Sequence, residues 1–390
     1  MTPAEKDLIA KFANADVNTL ALKIKDSADV DSKFVLRQIA GAQVMRRKMP
    51  TWAENSDVIY PDHLPLEQCS SYYTACYKRD IVDRILQNRD KMADLTGGLG
   101  VDFFMLSLLF KTATYAERNT ALCDIVRHNF GVFNRTNAIF SNVNGVDFIN
   151  NSNEFFNLLY IDPARRNSAG RKTVRIEDCE PDILAFQDVM IQKADIVLVK
   201  LSPMADMADV VSKLHNVREV HLVATANECK ELLVVLQKGF TAEPQIFTTN
   251  DSQHYTFTLS AERECVANLF LDTNLNEKFL FEPNAAVMKS GAFKMVAKEF
   301  NVNKLSVSSH LYVSDHDVPE FPGRRFKIES SGAAKNYAGL CAAGLAVRNF
   351  PEKAEVLKKK LKIRDGGDNY FFATTLYNGL KVMVKCIKVE

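Results

Sequence analysis

No run in the 390 residues comes near the ~18–20 continuous apolar positions of a membrane-spanning helix. The start, M-T-P-A-E-K-D-L, has neither the basic opening nor the apolar core of a secretory signal. Cysteine is present but unpatterned: the residues at 69, 76, 123, 179, 229, 265, 341 and 386 contain no C-x-x-C. They read as reduced thiols, mostly packed in cores, and the chain is expected to be cytoplasmic. The seven histidines fall at no metal-like spacing. His310 and His316, beside Asp315 and Asp317, form the tightest group and read as a surface turn, so no metal is expected.

An excess of either charge is also missing, since the net charge is +1. Its distribution is uneven. Residues 275–390 hold 19 Lys/Arg against 12 Asp/Glu, while residues 1–274 hold 30 against 36. A basic C-terminal third is compatible with a surface that faces nucleic acid, and equally with a solvated lysine-rich face. Hydrophobic residues at 47% and charged residues at 25% are globular values, and the length implies two or three domains.

What the chain does have is a glycine cluster in a telling place. Residues 92–102 read M-A-D-L-T-G-G-L-G-V-D, and an apolar stretch follows to Phe110. Strand, glycine turn and helix in that order build a nucleotide-sized crevice at the carboxyl end of a parallel strand. A P-loop would need Gly-Lys-Ser/Thr after the cluster, and none is there. The dinucleotide fingerprint needs a small third residue, where Phe103 stands. What remains is D-x-x-x-G-x-G, formed by Asp94, Gly98 and Gly100. Here the chain resembles the class I S-adenosylmethionine (SAM)-dependent methyltransferases, whose first motif has this form. The resemblance implies a SAM cofactor held by Asp94, Thr96, Gly97, Gly98 and Gly100.

The pattern around the motif is that of an α/β protein: a Rossmann-like class I methyltransferase sheet with a helical N-terminal region and small α+β C-terminal domains. Residues 1–89 read as helical. Thr2-Pro3-Ala4-Glu5 is a helix start. Residues 32–49 carry Phe34, Val35, Ile39, Val44 and Met45 at helical spacing, and Pro50 stops them. The basic run Arg46-Arg47-Lys48 fits a helix C-terminus, or a substrate contact. Residues 69–87 form a further helix.

Residues 90–265 alternate apolar strands (91–95, 112–116, 137–140, 156–161, 196–200, 219–224) with helices, as in a parallel sheet covered on both faces. Residues 230–237 read as a helix closing at Gly239, and 254–259 as a last strand matching the antiparallel one of the methyltransferase sheet. A linker at 269–277 follows. Then come a strand at 304–312, helices at 338–347 and 353–361, a turn at 365–369 and a terminal strand at 381–389. The expected domains are 1–89, 90–265, 276–319 and 320–390.

Glu117 ends the second strand, about 20 residues past the first glycine. A carboxylate there can accept from both ribose hydroxyls of an adenosine, or start a helix. Arg118 adjoins it. Asp147, with Phe148 beside it, follows the third strand. By the resemblance Asp147 meets the adenine amine, while a helix cap explains the same letters.

L-L-Y-I-D-P-A-R-R (158–166) ends a buried strand in Asp162-Pro163 at the same sheet edge. It resembles the (Asp/Asn)-Pro-Pro-aromatic loop of methyltransferases that modify base amines, which implies that Asp162 and Pro163 hold the acceptor. Ala164 stands for the second proline and Arg165 for the aromatic. Arg165, Arg166, Arg171 and Lys172 make the loop basic, which suits an anionic substrate. Lys200 and Ser202, on the same edge, could line the crevice or simply end a strand.

The wider resemblance, carried also by E-P-N-A-A-V-M-K (282–289) and F-P-G-R-R-F (321–326), is to bacterial methyltransferases that end in ferredoxin-like and THUMP-like domains. It implies methyl transfer to a base nitrogen of RNA (tRNA or rRNA), with Arg324, Arg325 and Lys327 on phosphates. The alternatives left open are an RNA-binding protein with little or no turnover, and methylation of a protein or small molecule.

Overall fold

Caps fix where the N-terminal helices begin. Thr2 accepts the Glu5 amide at 3.2 Å and Glu5 accepts the Thr2 amide at 2.8 Å, a reciprocal box with Pro3 in the first turn. Asp31 and Ser71 cap helices Ser32–Lys48 and Tyr72–Ile85 by accepting the Phe34 and Thr74 amides. Pro50 bars its neighbour from helical geometry, and Met49 leaves the helix at φ −145°. Lys48, in the basic run, serves the fold: its Nζ donates to the carbonyls of Leu66 at 3.1 Å and Cys69 at 2.8 Å.

The computed structural model describes residues 1–165, 175–339 and 342–389. Among them, no helix is long and apolar enough to cross a membrane. The chain forms two compact units: residues 1–201 with 208–217 and 234–241, and residues 202–207 with 218–233 and 242–390.

The first unit is built on β1 (Lys91–Asp94), β2 (Thr112–Ala116), β3 (Ala138–Ser141), β4 (Phe156–Ile161) and β5 (Ala194–Leu201). They lie in the order β3-β2-β1-β4-β5, all parallel, which is the doubly wound arrangement. The register sets Asp94 opposite Tyr115 on one side and Tyr160 on the other, so the carboxyl ends of the three central strands share one edge. Helix Val101–Leu106 is buried along its whole length. Its Phe103 lies 5.1 Å from the Phe130 ring and 5.4 Å from Tyr115, which explains an aromatic residue where a dinucleotide site would place glycine.

Residues 230–237, expected as a helix, belong to the strand Glu228–Gln237. Leu232 to Leu236 are all fully buried, a continuous apolar run whose period cannot separate strand from helix. The strand begins with a tight turn at Ala226 (φ 50°) and Asn227 (φ 60°), the positive-φ pair of a two-residue hairpin after Val217–Thr225. That hairpin, and not residues 254–259, supplies the first reversal of strand direction. Strand Gln253–Thr258 is a further antiparallel partner of Gln245–Asn250, which itself runs parallel to Val217–Thr225.

The second unit also holds a seven-stranded sheet: Asn303–Lys304, Tyr312–Ser314, Phe279–Pro283, Gly323–Gly332, Lys381–Lys388, Asn369–Thr375 and Gly344–Arg348, in that spatial order. The expected strand at 304–312 is two short strands around a turn in which Ser306 Oγ accepts the Ser309 amide at 3.2 Å. Its apparent alternation came from Leu305 and Leu311 entering the core separately. The expected helix at 338–347 is partly the strand Gly344–Arg348, paired in parallel with Asn369–Thr375. Its alanines favour helix, but pairing and the burial of Leu345 against Leu357 and Phe371 prevail.

This sheet also redirects the residues expected to touch RNA phosphates. Glu282 is 1% exposed, and a carboxylate so buried needs counter-charges. Arg324 Nε donates to it at 2.8 Å, Arg348 pairs with it at 2.7 Å, and Arg324 also donates to the Tyr370 hydroxyl at 3.0 Å. Arg325 pairs with Asp317, and Lys327 donates to the Glu277 carbonyl while lying 4.3 Å from the Phe279 ring centroid. Arg324 and Arg325 are thus ion-paired within the fold, and Lys327 is tied to it through a carbonyl and a ring.

Phe103→Ala is expected to cost about 3–5 kcal/mol in denaturant unfolding, because the rings around it cannot close the space. Arg324→Met is expected to cost about 3 kcal/mol by the same measurement, since it leaves a buried carboxylate short of a partner. Lys359→Met, at an exposed position, should change stability by less than about 0.5 kcal/mol.

Candidate active site

A cavity of about 730 Å³ opens at the carboxyl edge of β1, β2 and β4, lined wholly by residues of the first unit. That is the size of a small-molecule site, at the place where open α/β sheets bind ligands.

The turn after β1 forms its floor. Asp94 is 1% exposed, and its Oδ1 accepts the Thr96 amide at 2.9 Å. Burial holds the Asp94 carboxyl well above the usual carboxylate range; the Thr96 amide opposes this, and the nearby charges of Asp102, Asp162 and Glu117 reinforce it. Asp94 therefore shapes the turn, besides bordering the cavity. A Cβ at Gly97 would fall 2.2 Å from the Tyr115 ring, so only glycine fits there. Gly98 and Gly100 take φ +56° and +77°.

Glu117, at the end of β2, grips this turn. Its Oε2 accepts the Gly98 amide at 3.0 Å and its Oε1 the Asn119 amide at 2.8 Å. A carboxylate oxygen has two acceptor sites, so one backbone bond each leaves capacity for two ligand hydroxyls. Asn144 caps the helix Gly145–Asn151 by accepting the Val146 amide at 2.9 Å, and Asp147 stands exposed on the cavity wall in its first turn. Arg118 lines the cavity and pairs with Glu180 at 3.1 Å. Phe148 is placed elsewhere, against Phe156 at 6.1 Å between ring centroids, and borders a different depression.

Asp162 lines the same cavity. Its amide donates to Thr96 Oγ1 at 2.7 Å, tying it to the glycine turn, and its Oδ2 accepts from Lys200 Nζ at 2.6 Å. Pro163, next to it, is buried. The backbone of Ala164–Arg165 pairs with Cys179–Glu180. Arg166, Arg171 and Lys172 lie outside the described residues.

Behind Asp162 is a group of buried polar side chains that the sequence reading did not assemble. Asp102 Oδ2 accepts from Ser70 Oγ at 2.7 Å and the Tyr160 hydroxyl at 2.8 Å. Lys78, fully buried, lies 3.3 Å from Asp102 Oδ1, and Lys200 lies 3.6 Å from Oδ2. Burial pushes the Asp102 carboxyl up, but Lys78, Lys200, Ser70 and Tyr160 together outweigh it and hold it below the ordinary value. A signal was there: Lys78 falls on the buried stripe Thr74, Ala75, Ile81 and Val82 of its helix, and Asp102 interrupts an apolar helix. The N-terminal helices also bring Leu64, Pro65, Gln68 and Cys69 to the cavity, where burial pushes the Cys69 thiol up.

Comparison with known proteins agrees with this geometry. Residues 279–322 match a ferredoxin-like domain model and residues 323–388 a THUMP domain-like model. No curated protein matches the chain. Among solved structures, the "putative methyltransferase from Porphyromonas gingivalis W83" is similar over 99% of this chain and 98% of its own, at 30% identity and TM-score 0.85. An rRNA methylase from Streptococcus thermophilus is similar over 42% of this chain and 94% of its own, at 14% identity and TM-score 0.33, values that carry no weight. The chain thus belongs to the family of the Porphyromonas protein: class I SAM-dependent methyltransferases that end in ferredoxin-like and THUMP-like domains.

Proposed function

We propose that the protein transfers a methyl group from SAM to a base nitrogen of RNA, in the cytoplasm. One observation supports this most: a single cavity is lined by Glu117, Asp162 and the glycine turn, and both acidic residues are hydrogen-bonded to that turn. The residues fit an adenosine-containing ligand. Gly97 lets the turn pack directly on the Tyr115 ring, Glu117 keeps acceptor capacity for two hydroxyls, and Asp147 offers a second carboxylate on the cavity wall. When bound, SAM supplies a methyl carbon on a positively charged sulfur that departs as a neutral thioether.

The chain's own residues then orient the acceptor. Asp162 takes a hydrogen bond from the reacting amine, which aims the nitrogen lone pair and offsets the positive charge that grows on nitrogen. Pro163 stiffens the loop that carries it. The THUMP-like match and the basic C-terminal third support RNA as the substrate. With Arg324 and Arg325 ion-paired internally, the exposed Lys353, Lys359 and Lys362 at helix Ala354–Leu361 are better phosphate candidates.

The test is radiolabelled transfer from SAM to total RNA from cells that lack the protein, with mass spectrometry of the nucleosides. Binding of SAM without transfer would favour an RNA-binding protein that does not turn over. Asp162→Ala is expected to lower transfer at least about 100-fold while SAM affinity, by calorimetry, stays within a few-fold. Glu117→Ala should weaken SAM binding about 10- to 100-fold, the loss of charge-assisted hydrogen bonds worth about 1.5–3 kcal/mol.

A further inference from the structure

Lys200 sits where an acceptor-holding carboxylate would be expected to stand open. Its Nζ is 2.6 Å from Asp162 Oδ2 and 3.6 Å from Asp102 Oδ2, and its side chain is 12% exposed. A lysine between two carboxylates and 12% exposed is not a solvated surface charge. Asp102 cannot move to suit it, because Ser70, Tyr160 and Lys78 hold it from three other pieces of chain. The ammonium therefore has a fixed anchor on one side and the less buried Asp162 on the other. The charges run Lys78, Asp102, Lys200, Asp162 in alternating sign, a neutral row that ends at the cavity.

We propose that Lys200 is a positioning residue for the acceptor: anchored on Asp102, it binds Oδ2 of Asp162 and so turns Oδ1 toward the incoming N–H. Among the described residues nothing bonds Oδ1, while the Asp162 amide is fixed separately on Thr96. One oxygen clamped and the backbone pinned leave the carboxylate plane little freedom. Preorganisation of that kind acts on the rate with bound acceptor more than on ground-state binding. This inference rests on the proposed transfer reaction and on Asp162 as the acceptor-holding group.

The test uses the full-length protein, tritiated SAM and total RNA from cells lacking the protein. Lys200→Met should lower kcat about 10- to 100-fold with KM for RNA changed less than about threefold. Lys200→Arg, which keeps the charge and can still reach both carboxylates, should recover most of the rate. SAM affinity of Lys200→Met by calorimetry should stay within about threefold of wild type. In an Asp162→Ala background, Lys200→Met should have no further effect, since a residue that acts through another is not additive with it. Circular dichroism melting shows whether Lys200→Met folds; if it does not, Lys200→Arg and Lys200→Gln carry the same comparison. Wild-type kcat in Lys200→Met, a loss confined to SAM affinity, or additive loss in the double variant would overturn the proposal and leave the transfer reaction standing. No transfer by the wild-type protein would overturn the reaction itself and this role with it.

Discussion

Asp102 is a carboxylate inside an apolar helix, and a charge in that position is tolerable only when groups around it meet its lone pairs. The groups that do so come from far apart in sequence. Ser70 comes from the connection before helix Tyr72–Ile85, Lys78 from that helix, Tyr160 from β4 and Lys200 from β5. Satisfying one buried carboxylate thus pins the helical region against the parallel sheet at the point where the cavity opens. These bonds join the helical region to the sheet within one compact unit, and Leu64, Pro65 and Gln68 line the same cavity as the glycine turn. Removing Lys78 or Lys200 would leave this largely buried carboxylate with one counter-charge fewer.

A second constraint acts on the turn itself. Tyr115 is on β2 and Glu117 directly follows that strand, two residues on, so both side chains leave on one face. One donates to the Gly98 carbonyl at 2.6 Å, and the other accepts from the Gly98 amide at 3.0 Å. Both polar groups of one peptide residue are held by side chains before any ligand arrives. The Tyr115 ring fills the space that a Cβ at Gly97 would need. The glycines alone would give a mobile loop, and the two side chains of β2 make it a rigid floor.

Much of this was legible in the sequence because it is local. The Thr2 box, the Asp94 strand end, the glycine spacing and the apolar runs of β2 and β4 each depend on a few neighbouring letters. What was not legible depends on the other side of a contact. Residues 228–237 are apolar at every middle position, so no period reveals strand or helix, and the Ala226-Asn227 turn is not a strong hairpin pair by composition. Arg324 and Arg325 look like phosphate ligands until the fold brings Glu282 and Asp317 against them. Phe148 adjoins Asp147 in sequence, yet neighbouring helical residues face different directions, and it packs on Phe156. Lys200 and Asp162 could both be placed at the sheet edge, but neither their contact nor Asp102 as the second partner could be read there.

These assignments bear on where selectivity would reside. A basic side chain already paired inside the sheet has no charge to spare for a phosphate, so grip on RNA would fall to exposed lysines such as Lys359 and Lys362. Long lysine side chains meet phosphates as point charges, and phosphate contacts position a nucleic acid without reading its sequence. Reading a base requires fixed donors and acceptors at its edge. Asp162, held at its amide by Thr96 and at one oxygen by Lys200, is fixed in that sense. On the proposed reading, then, the second unit raises the local concentration of RNA in a salt-dependent way. On the same reading, the base would be read at Asp162, whose geometry the buried charges of Lys200 and Asp102 hold.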